Sequence, residues 1–237
     1  MPQSYFIWNG KDCRSMGIIM RGPAAIVRPE ERVQHVEIPG RSGDLTELEG
    51  ENIYNSYIQT ISISVRGGFR TREVYKWLRG DGYVTFSGEP DKKQRARIIG
   101  AITLNKVSRN LDNWAGEVQF YCQPLKEKLT DETVTLNAAG NVDAEGDVTA
   151  HPLFQVTMSS GATSFWIACG GKRLDVTGIT SGKVLIDSDV QEVQYAEGLG
   201  MLTAYSEGDF PVLNPGSNAV TGANWTKVEI TKRERFL

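Results

Sequence analysis

Apolar and polar residues alternate with a period of two along most of this chain, and one short stretch repeats with helical spacing. The alternation is clearest over Tyr57 to Val65, where Ile61, Ile63 and Val65 fall on one face and Thr60, Ser62 and Ser64 on the other. That pattern predicts a half-buried strand. Its polar face is short-chained and uncharged, and could lie against water or a neighbouring subunit. Further strands are expected at Tyr5 to Trp8, ended by the turn dipeptide Asn9-Gly10, at Met16 to Met20 and at Glu31 to Ile38. In the last of these, Val33 is out of phase with Val36 and Ile38, so near His35 there is either a bulge or a register other than simple alternation. Pro39 to Asp44 must be a loop, because Pro39 cannot continue a central ladder and the two glycines release the backbone. Tyr83 to Phe86, Arg97 to Leu104 and Glu117 to Cys122 complete the strands of the first half.

Helical spacing is confined to Arg70 to Gly80. Thr71 can cap the first turn, Glu73 suits the positive end, and Val74, Trp77 and Leu78 form an i, i+3, i+4 stripe before a stop at Gly80. So short a helix is marginal alone and should dock its Trp77 face on the sheet. The composition changes at Gln123 to Asp131, where Pro124 and the Lys126-Glu127-Lys128 run suggest a crossover between domains. Beyond it, Thr133 to Val148 carries turn-like Gly140-Asn141 and Glu145-Gly146-Asp147. Short strands are then expected at Leu153 to Met158, Thr163 to Cys169, Arg173 to Val176, Lys183 to Asp187, Val190 to Tyr195, Leu199 to Tyr205 and Trp225 to Thr231. Turns fall at Ser160-Gly161, Gly170-Gly171, Gly178, Ser188-Asp189 and Pro215-Gly216-Ser217-Asn218. This cadence is that of an antiparallel sandwich.

Composition narrows the function. At 237 residues the chain can hold one large domain or two ordinary ones, and its 25 glycines suit many turns between short strands. A net charge of −3 gives no reason to expect nucleic-acid binding, which needs a concentrated basic surface. Three widely spaced cysteines, Cys13, Cys122 and Cys169, make a poor disulfide framework, and the last two end apolar alternations as core residues do. The amino terminus lacks the basic region and apolar run of a signal peptide, and no stretch approaches the roughly 20 apolar residues of a membrane helix. A soluble protein without membrane insertion is expected.

No catalytic constellation emerges. His35 and His151 are too few for a multi-histidine metal centre, no Cys-x-x-Cys pair exists, and Gly170-Gly171-Lys172 lacks the remainder of a phosphate loop. Asp187 and Asp189 could supply oxygen ligands or an acid and base pair, but Asp-Ser-Asp is also an ordinary polar turn. Arg79-Gly80-Asp81 coincides with a helix stop, and Asn224-Trp225-Thr226 reads as an acceptor pattern without a secretion signal. Trp166, Tyr195, Tyr205 and Trp225 are the residue types on which a sugar could stack. The chain therefore reads as a non-enzyme with no cofactor and no metal site.

Two stretches resemble the distal tail protein family of long-tailed, non-contractile bacterial viruses. One is Val36-Glu-Ile-Pro-Gly-Arg-Ser-Gly-Asp-Leu45; the other combines Lys183-Val-Leu-Ile-Asp-Ser-Asp189 with Gly208-Asp-Phe-Pro-Val-Leu-Asn-Pro-Gly-Ser-Asn218. The resemblance extends over the whole chain in the order of its elements. It implies a mainly β protein: a ring-forming β-rich domain with one short helix at residues 1–122, a linker at 123–132, and a galectin-like antiparallel β-sandwich at 133–237. It further implies a hexameric ring in the virion tail tip, assembled in the host bacterial cytoplasm, linking the tail tube protein to the baseplate or to a tail-associated fibre or lysin protein. In some members the second domain holds receptor-binding parts. The alternative reading is a carbohydrate-binding host-attachment module. For a ring, the expected subunit contact comprises Arg41, Ser42 and Asp44 in the loop, with the polar strand face of Thr60, Ser62 and Ser64.

Overall fold

The computed structural model describes residues 3–48, 50, 52–67, 71–179, 182–196 and 200–237. It is mainly β, with one short α-helix, and divides into two units: residues 1–129 with Leu237, and residues 130–236.

The first unit begins with a hairpin, β1 (Phe6–Trp8) and β2 (Lys11–Asp12), whose two-residue loop is Asn9-Gly10. Asn9 at φ 49° and Gly10 at φ 76° both occupy the left-handed region that this tight hairpin turn demands. After a 3-10 turn at Cys13–Met16, β3 (Ile18–Met20), within the strand expected at Met16 to Met20, does not pair with β1. Gly17, at φ 71°, redirects the chain so that β3 pairs with β6 (Tyr57–Arg66). Between them lie β4 (Val33–Val36) and β5 (Leu45–Leu48), a separate two-stranded sheet. Helix α1 (Thr71–Trp77) is followed by β7 (Asp81–Phe86), β8 (Lys92–Ile99), β9 (Leu104–Lys106) and β10 (Asn113–Lys128). The main sheet runs β2-β1-β7-β8-β10-β6-β3, with β9 also on β10, and the pairs along this path are antiparallel.

One face of that sheet is dry. Ile61, Ile63 and Val65 on β6 meet Phe6, Trp8, Val118 and Phe120 in a single buried cluster. Phe120 is its hub, edge-on to Phe6 and Trp8 at 5.5 Å between ring centroids in each case, a favoured aromatic arrangement. The helix docks as its stripe predicts: Val74 and Leu78 are buried, and Trp77 stacks on Phe6 at 5.7 Å. Arg70, the expected first residue of the helix, lies outside the described residues.

The segment expected as a linker from Gln123 is strand as far as Lys128, since β10 runs straight through it. Pro124 does leave its mark. The register against β8 shifts between Cys122 and Lys126, where a residue without an N–H cannot serve the ladder. The freed carbonyl of Gln123 accepts from the buried Gln94 side chain at 2.5 Å, and Gln94 in turn accepts from the Tyr57 hydroxyl at 3.1 Å.

The second unit is a sandwich. One sheet has the order β11 (Thr133–Leu136), β20 (Trp225–Thr231), β13 (Leu153–Met158), β16 (Lys183–Asp187), β17 (Glu192–Tyr195). The other has β12 (Gly140–Ala144), β19 (Gly216–Ala223), β14 (Phe165–Cys169), β15 (Lys172–Val176), β18 (Ser206–Gly208). Inward residues from both sheets, including Phe154, Ile167, Leu174, Ile186 and Ile230, share one core. Two expected turns are strands instead. Gly140-Asn141 opens β12, and Gly216 to Asn218 opens β19, because Asn218 turns the chain with its side chain rather than its backbone. It accepts from the Asn214 N–H at 2.9 Å and donates to the Asn214 and Gly216 carbonyls at 2.7 and 3.0 Å. The expected strand at Leu199 to Tyr205 is a single bridge at Met201 followed by a 3-10 turn at Thr203–Tyr205, Leu199 lying outside the described residues.

Candidate assembly surfaces

The loop residues of the expected contact stand at the end of an exposed arm. From Glu30 to Leu48 every residue is exposed except Val33 and Val36, which are half-buried. The register is unbroken, Val33 opposite Leu48 through Val36 opposite Leu45, so of the two readings of the phase break near His35 the bulge is excluded. The phase break has a different cause: with both faces in water, neither face has to be wholly apolar. Opposed residues share a face, so Val36 and Leu45 form an apolar spot on one side near the tip. Val33 and Leu48 form another on the opposite side near the base. At the base, Arg32 donates from its backbone to Ile53 at 2.9 Å and Asn55 to Glu30 at 2.8 Å. At the tip, Gly40 and Gly43 both have φ 82°, and the Arg41 N–H returns to the Ile38 carbonyl at 3.1 Å. Among the described residues the Arg41 and Asp44 side chains form no hydrogen bond or ion pair within the chain.

Thr60, Ser62 and Ser64 lie where the alternation puts them, on the face of β6 away from the core. Thr60 and Ser62 are exposed, and Ser64 is half-buried and accepts from the Arg21 guanidinium at 2.8 Å. Strand pairing sets Ser62 opposite Glu117 and Thr60 opposite Gln119 of β10. Ser62, Glu117 and Gln119, with Arg21, Thr103, Lys106 and Val107, line an open groove of ≈620 Å³, to which Thr60 and Ser64 do not contribute. Arg21, Lys106 and Glu117 are thus added to this surface by the structure. The sequence carried no signal for them, since their place depends on which strands pair. Within one chain the structure joins the three β6 residues on one face. The loop residues connect the strands of the separate two-stranded sheet.

The other candidate chemistry dissolves into structure. Asp187 receives both arms of the Arg233 guanidinium, at 2.7 and 3.0 Å, and Asp189 pairs with Arg235 at 2.9 Å. Burial raises the Asp187 pKa, but the Arg233 hydrogen bonds, backbone N–H groups and Arg233 charge together hold it below its ordinary value. Both acids are therefore committed to arginines. Among the described residues no group of three or more His, Cys, Asp or Glu side chains could hold a metal ion. All three cysteines are buried, and burial pushes the Cys122 and Cys169 thiols up to about 12 and about 11. The four aromatics considered for stacking a sugar do not form one open platform. Tyr195 belongs to the sandwich core, Trp225 packs against it, and the Arg173 guanidinium covers Trp166 at 4.2 Å; Tyr205 is exposed. Among the described residues no helix is long and apolar enough to cross a membrane.

No protein-family model matches the chain, and no curated protein matches its sequence. Among solved structures the chain is similar to the crystal structure of SPP1 Dit (gp 19.1), described as a paradigm of the hub adsorption apparatus in phages infecting Gram-positive bacteria. The two share a TM-score of 0.79 over 99% of each chain at 18% sequence identity, which makes the fold of both units common to them.

Proposed function

We propose that this chain is a non-catalytic hub protein of a long, non-contractile bacteriophage tail. It forms a hexameric ring through its first unit and links the tail tube to the baseplate or tip fibre proteins. Its place is the virion tail tip, with assembly in the host bacterial cytoplasm. The observation that carries this reading is the end-to-end likeness to the SPP1 hub protein, which extends over 99% of each chain. The surfaces support it. A closed ring needs two different, complementary patches on each subunit, and the first unit offers an exposed arm and an open groove. Asp187 and Asp189, which could have argued for an acid and base pair or a cation site, are instead engaged in ion pairs with Arg233 and Arg235.

Negative-stain imaging and native mass spectrometry of the purified protein over a range of concentrations test the reading. Annuli of six copies are expected. A monomer at every concentration, and again when mixed with the tail tube protein of the same virus, would overturn it.

A further inference from the structure

We infer that the outer face of the main sheet, where Ile58, Tyr83, Arg95, Arg97 and Tyr121 lie side by side, docks an acidic face of a neighbouring tail protein. The inference rests on the hub reading and adds to it a surface and a partner chemistry. The strand register places the five residues together. Ile58 of β6 lies opposite Tyr121 of β10, Tyr121 opposite Arg97 of β8, and Arg97 opposite Asp81 of β7. Two positions back along β8, Arg95 lies opposite Tyr83. The residues that alternate with them, Val84, Ala96, Phe120 and Cys122, are buried in the core, so these five point away from it. They stand open to solvent: Ile58 is 54% exposed, Tyr83 41% and Tyr121 40%, and both arginines are exposed.

Tyrosine and arginine are the residues that protein interfaces concentrate at their centres, where a few anchors supply most of the binding energy. Charge selects the partner. Among the described residues Arg95 forms no hydrogen bond or ion pair within the chain. Arg97 meets Asp81 at 3.7 Å, with the side chains 64% and 61% exposed, and Lys93 meets Glu127 at the same distance. Pairs this long and open contribute little, so both arginines are able to take new carboxylates in forked hydrogen bonds. The face sets three cations, Lys93, Arg95 and Arg97, against two carboxylates. The unit around it leans the same way: residues 1–129 hold 19 Lys and Arg against 15 Asp and Glu, whereas residues 130–237 hold 7 against 14. A protein surface with carboxylates aimed at Arg95 and Arg97 complements this face. A second copy of the same face would bring surplus cations to surplus cations. A nucleic acid, negative along its whole length, would set phosphates against Asp81 and Glu127.

The test uses the purified tail tube protein and the purified tail-associated fibre protein of the same virus, each measured against the full chain by biolayer interferometry. Wild type should bind one of them, more weakly at 1 M salt than at 0.1 M. Arg95→Glu combined with Arg97→Glu should weaken that binding by about tenfold or more, and Tyr121→Ala by a similar factor. Arg95→Lys combined with Arg97→Lys keeps the charge and should retain more of the affinity. All these side chains are exposed, so thermal midpoints and ring formation should stay as in wild type. Three results would overturn the inference and leave the hub reading standing. One is unchanged binding of the tail proteins by the glutamate variant. Another is loss of rings in that variant, which would make the face a contact between copies. The third is capture of a labelled oligonucleotide that the glutamate variant alone loses, with tail-protein binding intact. Wild-type protein that binds neither tail protein would overturn both.

Discussion

Single residues decide whether the sheet of the first unit closes properly, and Gly116 is the strictest case. It sits within β10 opposite Ile63 of β6 and Leu104 of β9, and a Cβ there would overlap the Thr103 carbonyl oxygen. Gly116→Ala should therefore cost about 1–3 kcal/mol, the usual penalty for overpacking a rigid backbone contact, read as a lower urea midpoint with unchanged slope. The thiols give a second outcome. With Cys13, Cys122 and Cys169 all buried, a thiol reagent at neutral pH should find none in the native protein and three after denaturation. Burial favours their neutral forms, and that of Tyr57, which is pushed up to about 12. Each contributes stability that is fully present below its unfolded pKa and is lost as pH rises through the folded value. The unfolding midpoint should accordingly fall between about pH 9 and 12. The burial of Cys122 and Cys169 was legible because each ends an apolar alternation. The demand on Gly116 was not, because the atom it must clear belongs to a neighbouring strand connection.

At the scale of elements, alternation was a sound guide wherever one face of a strand is dry. β6, β13, β14 and β20 follow it residue by residue, and the helix docks the stripe that its spacing displays. It failed where something other than burial shapes the chain. The arm is wet on both faces, so its apolar positions obey no single phase. The opening of β19 looked like a turn because Asn218 does by side chain what a turn does by backbone. Of the candidate contact residues, the three on β6 could be assigned a shared face in advance, whereas their neighbours Arg21 and Glu117 arrive through strand pairing. The Asp187–Arg233 pair links β16 to the segment after β20 and is mostly shielded from solvent. Arg233→Ala should cost about 1–3 kcal/mol by leaving a partly buried carboxylate without its charged donor. Because the folded Asp187 pKa is depressed, the pair's contribution is present above the unfolded value of about 4 and disappears as pH falls through the folded one. The difference in stability between wild type and Asp187→Asn should thus be constant near neutrality and shrink in acid.

Over the whole molecule, two hydrophobic cores that share no residue carry a fold that is retained at 18% identity to a viral hub protein. What the two chains demonstrably have in common is the fold of both units. The arm's exposure also has a bearing on the life of the free subunit. A segment with so little buried surface opens at almost no cost, and proteases cut where chains open. Brief digestion of the monomer should release two fragments severed between Glu30 and Leu48, with the rest of the first unit intact. If copies of the chain assemble as proposed and cover the arm, the assembled form should resist the same treatment, so that resistance to cleavage becomes a measure of how many copies have found their neighbours.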